Sequence, residues 1–441
     1  MNSNLEFRDG STQRWVRLAD LSLGGTRNGL YKPKEFHGSG AKIVNMGELF
    51  AFPRLANEEM KRIGVTQDEL DRFGLQAGDL LFARRSLVAD GAGKCSIVVH
   101  CDAPTVFESS IIRLRPAWER VEPEYLFYLF RSSVGDQLLD RIRKRDAVSG
   151  ITGKDLAALE VPLPAKEVQR NVCDLLSTLD NRIDHNRTLA TNLEAIARRL
   201  FKSWFVDFNP VRAKAAGEKP SGLADDIAVL FPDRFVESEL GEIPEGWRVG
   251  CVDDEFSLTM GQSPPGSTYN EIGDGLPFYQ GRTDFTFRFP KRRVFCSAPS
   301  RFAKPGDTLV SVRAPVGDIN MALEDCAIGR GVAAARHRSG SRSYTYHHMY
   351  SLEDVFANFE ADGTVFGSIS KKDFHAISCI VPSDKIIEAF EQVCNPIDGR
   401  LEICEQESRT LATLRDALLP KLISGEIRVS DAHKQIEEAL G

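Results

Sequence analysis

The sequence contains no run of about 18 apolar residues, so no segment is long enough to cross a bilayer as a helix. Its start, MNSNLEFRDGSTQRW, carries neither the basic leader nor the apolar stretch of a secretory signal; a cytoplasmic protein with no membrane partner is expected. The nine cysteines are odd in number and never spaced as CxxC, which argues against structural zinc and against a disulfide framework. Several enzyme motifs are missing as well. An Asn/Asp-Pro-Pro-aromatic loop would hold a flipped adenine, but Asn209-Pro210-Val211 and Asn395-Pro396-Ile397 each have a single proline. Gly91-Ala92-Gly93 lacks the third glycine of a nucleotide fingerprint, and Gly93-Lys94-Cys95 and Gly153-Lys154-Asp155 fall short of a phosphate loop. His347-His348, read as strand neighbours, point to opposite faces and make a poor metal pair. Glu58-Glu59-Met60-Lys61 reads as the start of an exposed helix, not as a nuclease carboxylate cluster. The expectation is a chain with no catalytic residues, no metal and no cofactor of its own.

What is present is an average soluble composition, 42% hydrophobic and 27% charged, over 441 residues, enough for two to four domains. The net charge of −7 counts against a nucleic-acid partner, because affinity for DNA rests largely on Lys and Arg neutralising phosphates. Its distribution is uneven. Residues 1–150 hold 22 basic and 20 acidic groups and residues 247–375 hold 15 of each, whereas residues 151–246 hold 12 against 16 and residues 376–441 hold 7 against 12. Two near-neutral segments therefore alternate with two acidic ones, a pattern that fits basic patches on the former and protein contacts on the latter.

The alternation reflects an internal repeat. At an offset of 218, Ile151–Leu200 aligns with Ile369–Leu418 without a gap. The identities include Ile151/Ile369, Lys154/Lys372, Asp155/Asp373, Asp180/Asp398 and Leu193/Leu411. Upstream, LQAGDLLFARR (75–85) matches FAKPGDTLVSVRA (302–314), pairing Gly78-Asp79 with Gly306-Asp307 and Arg85 with Arg313. Each repeat is a globular piece followed by a helix. In the first helix Val172, Leu176, Leu179, Ile183, Asn186, Ala190, Leu193, Ala197, Leu200 and Trp204 alternate steps of four and three, the seam of a coiled coil. Ile397, Leu401, Cys404, Ser408, Leu411, Arg415, Leu418 and Leu422 hold the same positions in the second, with Ser408 and Arg415 weakening it. Asn395-Pro396 reads as an N-cap followed by proline at the first helical position, and Pro420 as the end or a kink. An antiparallel pairing would put the globular pieces at opposite ends of a spine. From Pro396 to Leu419 that spine would be about 35 Å long, close to one turn of B-DNA.

Four stretches carry a family resemblance: LFKSWFVDFNPVRAK (200–214), FPDRF (231–235), ELGEIPEGW (239–247) and ALLPKLISGEIRV (417–429). Together with LEVPLPAKEVQRNVCDLLSTLDNRID (159–184), they closely resemble the conserved regions of type I restriction-modification specificity subunits. The second helical region departs from the pattern, because IVPSDKIIEAFEQVCNPID lacks the proline- and glutamine-bearing form of Leu163–Gln169. The resemblance implies an α+β fold with two tandem target recognition domains joined by an antiparallel coiled coil of two long helices, in a pseudo-two-fold arrangement. The boundaries expected are 1–155 for the first recognition domain, 156–246 for the first helical region and linker, 247–375 for the second domain, and 376–441 for the second helical region and tail. It further implies a non-catalytic chain that reads an asymmetric bipartite sequence in double-stranded DNA. Two methylation subunits would dock on it, and restriction subunits would join; S-adenosylmethionine and ATP with magnesium would belong to those partners.

Arginine pairs in two-pronged fashion with guanine, whereas lysine more often meets phosphate. The DNA-contact candidates in the first domain are Arg84, Arg85, Arg143, Lys144 and Arg145, the last three in a basic run that also reads as a solvated helix end. In the second they are Arg282, Arg313, Arg330, Lys371 and Lys372, with glycine beside Arg282 and Arg330 allowing close backbone approach. Arg85/Arg313 and Lys154/Lys372 recur in both halves, so a common positioning or structural role is expected of them, and sequence reading where the halves differ. Two rival readings stay open: the targeting part of a fused methyltransferase-nuclease, and a coiled-coil scaffold that never touches nucleic acid.

Overall fold

A computed structural model describes residues 14–86, 91–145, 149–361 and 367–440. The chain divides into two compact units, Met1–Asp184 with Arg409–Gly441, and His185–Ser408. Helices and mostly antiparallel strands make up both, as the α+β reading expects.

In the first unit, a five-stranded sheet runs in the order Ser22–Asn28, Ile111–Pro116, Leu80–Ala83, Cys95–Val98, Arg54–Leu55. Every residue of Leu80–Ala83 and of Cys95–Val98 is buried, so these strands are covered on both faces; the first is apolar throughout, and the one polar residue of the second, Ser96, donates to the Leu49 carbonyl at 2.8 Å. The helix Pro123–Arg131 begins on proline and buries Tyr125 through Phe130 on all sides. Its cluster continues through Val172, Leu175 and Leu176 of one long helix, Lys166–Phe201, to Leu418, Leu419 and Leu422 of the other, Asp384–Ile423. Further along, Leu179 and Ile183 meet Leu411. The beginning of the first long helix thus faces the end of the second.

The second unit repeats the plan. Its four-stranded sheet runs Phe256–Met260, Val332–His337, Thr308–Val312, Val316–Met321, all antiparallel. The helix Arg342–Ser351 lies against this sheet, and here the end of the first long helix faces the start of the second. Ala190 and Leu193 pack with Leu401 and Ile397, while Ala197 and Phe201 join Ile386, Phe390 and Cys394. Within each unit the two helical stretches are therefore antiparallel.

The duplication extends to details. In each half the opening strand pairs antiparallel with the strand that leads into a long helix: Arg14–Arg17 with Glu160–Leu163, and Arg248–Cys251 with Ser378–Val381. Gly78 and Gly306 both adopt positive φ, +88° and +81°, before the aspartates that close their turns. Asp79 accepts the Gln76 amide at 2.9 Å and Asp307 the Lys304 amide at 2.7 Å, and each is bound by an arginine, Arg115 or Arg336.

Several expectations need correction. The second long helix starts at Asp384, twelve residues before Pro396, and runs three past Pro420. The apolar contacts of Ile386, Ile387 and Phe390, all nearly fully buried, hold its opening turns and outweigh the bond that proline removes. His347 and His348 lie buried on the helix Arg342–Ser351, not on a strand. Glu58–Lys61 forms no helix; it leads into the short strand Arg62–Ile63. The first long helix ends at Phe201 and widens into a π turn, Lys202–Val206, that turns both Trp204 and Phe205 inward. Those two rings, with Phe208, Phe231 and Trp247, form one aromatic cluster with Phe390, so the motifs SWFVDF, FPDRF and EGW are a packing unit.

Candidate nucleic-acid interface

In the first unit the buried strand Leu80–Ala83 delivers the chain to Arg84 and Arg85. Arg85–Ser86 then joins Ser149–Gly150, which also pairs with Lys144–Arg145. Arg85 and Lys144 lie opposite Gly150 on its two sides, so three of the five predicted residues share one small sheet. Both side chains are exposed, while that of Arg145 lies outside the described residues. Arg84 is half-buried and donates to the Ser109 carbonyl at 3.3 Å. Arg143 departs from expectation. Its side chain is 3% exposed, bound by Asp136 at 2.6 Å and by the Ala92 carbonyl at 2.8 Å, because the chain here enters a strand instead of ending a solvated helix. It holds the fold together and presents no cation to a partner.

In the second unit Arg282 opens a short helical turn and lies 3.0 Å from Asp318. It borders a cleft of about 570 Å³ with Asp318, Asn320, Tyr350 and Glu353. Arg330 sits exposed between two glycines. A Cβ at Gly331 would lie 2.3 Å from the Gln280 carbonyl oxygen and one at Gly329 3.0 Å from the Gln280 Cα, so the loops of Arg330 and Arg282 meet by close backbone approach. Arg313 is exposed and bridges Ser368 through its backbone, and Lys371 and Lys372 are exposed on the helix Lys371–His375. By contrast Arg292 and Arg293 are each bound two-pronged, by Glu324 and Asp284.

The predicted seam residues divide by burial. Leu176, Leu179, Ile183, Leu401, Leu411 and Leu418 are at most 4% exposed, whereas Leu193, Leu200 and Ile397 are half-buried. Asn186 is buried and donates to Glu407 at 3.1 Å. Arg415 is half-buried and reaches the buried Asp180 at 2.6 Å, which also accepts the Tyr128 hydroxyl at 2.8 Å. Asp398 is the repeated counterpart of Asp180 and is served differently, by Arg288 at 2.6 Å and the Ser343 hydroxyl at 2.5 Å. Arg288 is 2% exposed, also binds Glu194 at 2.7 Å, and lies 3.5 Å from the centre of the Tyr346 ring. Burial works against its charge, but Asp398, Tyr346 and Glu194 outweigh it and hold the guanidinium more firmly protonated than in water. Sequence reading missed this site; the identity of Asp180 and Asp398 was its one visible trace. The glutamine peculiar to the first half is explained too. Gln169 is buried, donating to the Pro164 carbonyl and accepting the Glu122 amide, while the equivalent Ile387 fills an apolar core.

Comparison with known proteins places this geometry. The model of the type I restriction modification DNA specificity domain matches residues 32–195. The putative type I restriction enzyme MjaX specificity subunit of Methanocaldococcus jannaschii is 30% identical over 370 residues, 83% of this chain and 82% of that one. The HindI specificity subunit of Haemophilus influenzae is 25% identical over 404 residues, covering 80% and 87%. The type I restriction-modification S subunit of M. genitalium shares the fold, with a TM-score of 0.58 at 15% identity over 96% of this chain and 99% of that one. The chain belongs to the family of type I restriction enzyme specificity subunits.

Among the described residues no helix is long and apolar enough to cross a membrane, and no group of three or more His, Cys, Asp or Glu is placed to hold a metal ion.

Proposed function

We propose that this chain is the DNA-reading, non-catalytic subunit of a type I restriction-modification system. Each recognition domain, 1–155 and 247–375, reads one half of an asymmetric bipartite target in double-stranded DNA. The regions 156–246 and 376–441 form an antiparallel spine that sets the spacing and docks two methylation subunits, with restriction subunits joining them. S-adenosylmethionine and ATP with magnesium are bound by those partners, and the assembly works in the cytoplasm.

The observation that carries this reading is the duplicated unit within a member of this family. Two copies of one strand-and-helix plan each lead into a long helix, and beyond the shared Arg85/Arg313 and Lys154/Lys372 their exposed basic residues differ. Lys144 lies on a small sheet in the first unit, beside the shared Arg85, while Arg282 and Arg330 lie on loops packed together by glycine in the second. Different surfaces on one framework suit two different half-sites.

Sequencing the methylated adenines of a host with and without the gene tests the reading. A motif of two unlike half-sites around a gap, lost on deletion, is the expected result. A methylation pattern unchanged by deletion overturns it.

A further inference from the structure

Four charged positions recur in the globular parts of the two halves, and two of the four have internal duties. Asp79 and Asp307 close turns and bind arginines. Asp155 and Asp373 complete helix caps: Thr152 and Ser370 accept their amides at 3.1 and 3.2 Å and donate to their carboxylates at 2.7 and 2.6 Å. The other two are Arg85/Arg313 and Lys154/Lys372. All four of these side chains are exposed and none makes a hydrogen bond, ion pair or ring contact among the described residues.

Their backbones, however, are fixed in matching ways. Arg85 pairs with Gly150, and Arg313 bridges Ser368, the counterpart of Gly150 at the repeat offset. The next residue bonds back one step earlier, Ile151 to the Arg84 carbonyl at 3.0 Å and Ile369 to the Val312 carbonyl at 3.1 Å. Ile151 and Ile369 are buried and anchor the crossing. Each lysine then stands three residues beyond that isoleucine, on the short capped helix. An arginine and a lysine are thus held on a hydrogen-bonded crossing in each half, with no side-chain partner among the described residues.

We infer that these crossings are a matched pair of phosphate anchors, gripping the DNA backbone alike in both halves. The inference rests on the proposed DNA-reading function and assigns the partner of these four side chains. Two domains that read different bases cannot do so through residues that are the same in both, whereas the sugar-phosphate backbone is common to every sequence. Exposed cations with no internal partner also lose no fold contacts on meeting phosphate.

The test uses the full chain, co-expressed with its methylation subunits where they are required, against a mixed-sequence duplex and a duplex selected by the wild type. The double variants Arg85→Ala/Lys154→Ala and Arg313→Ala/Lys372→Ala should each lower affinity for both duplexes. Each should also reduce the slope of log K against log salt by about 1.8, at roughly 0.9 per phosphate contact. Between 50 and 200 mM salt, wild type should therefore lose about tenfold more affinity than either variant. The selected motif should stay the same, and the charge-keeping exchange Arg85→Lys/Lys154→Arg should restore the slope. An unchanged slope, or a motif altered at one half-site, overturns the phosphate assignment while leaving the bipartite reading intact. A wild type without sequence preference overturns that parent reading instead.

Discussion

At the scale of the residue, the decisive features are buried charges. Arg288 neutralises two carboxylates, Glu194 and Asp398, in a site where all three are at most 3% exposed. Removing the cation leaves Asp398 with only the Ser343 hydroxyl and Glu194 with only Arg198, at 3.4 Å, so Arg288→Met should cost about 3 to 5 kcal/mol, measured by denaturant unfolding. A loss under about 1 kcal/mol would show that water reaches the site. The neighbouring histidines predict a pH effect. His348 lies among Phe256 and Tyr344, where burial, helped by His337, pushes its pKa down to about 3. In the unfolded chain it would titrate near 6.5. Between those values the unfolded state binds a proton that the folded state refuses, so its contribution is complete above about pH 6.5 and is lost as pH falls toward 3. The melting temperature should decline from pH 7.5 to 5, and His348→Phe should flatten the decline. An equally steep decline in the variant would assign it to other groups.

At the scale of the element, the seam was legible because its period is a property of side chains alone. Its members carry unequal weight once their burial is known. Leu411 is 2% exposed between Leu179 and Ile183, so Leu411→Ala should cost about 2 to 5 kcal/mol. Leu193 is half-buried and should cost distinctly less. Equal losses in thermal or chemical denaturation would contradict the burial pattern. What escaped depends on distant partners. The three-stranded sheet around Gly150 is built from two-residue strands whose register is set across the chain, and no local period marks it. The start of the second long helix was misplaced because Asn395-Pro396 imitates a cap, while the contacts that carry the helix across it lie elsewhere. Arg143 looked like a surface cation because its partners, Asp136 and the Ala92 carbonyl, belong to other turns.

At the scale of the whole molecule, the family and the repeat were legible, and the choice among exposed arginines was only narrowed. The pairing of Asn186 with Glu407 marks where an altered spine must be cut. Insertion of one heptad in each long helix at that level keeps the neighbouring partners matched and adds about 10 Å at 1.5 Å per residue. That corresponds to about three base pairs, and the gap in the methylated motif should grow by this amount while both half-sites stay the same. An unchanged gap, read by methylome sequencing, would show that the helices do not set the distance.

The unlike treatment of Asp180 and Asp398 bears on how such chains can be recombined. Asp180 takes its nearest cation, at 2.6 Å, from Arg415 on a long helix, so a transplanted first globular segment forfeits Tyr128 and the more distant Arg54, at 4.0 Å, but finds that counter-ion already in the recipient. Asp398 takes its cation from Arg288, inside the second globular segment, and Glu194 shares that arginine with Arg198. A graft there must bring its own arginine to the same point or leave Asp398 without a cation and Glu194 with only Arg198. Exchange of the first globular segment should therefore be tolerated more readily than exchange of the second.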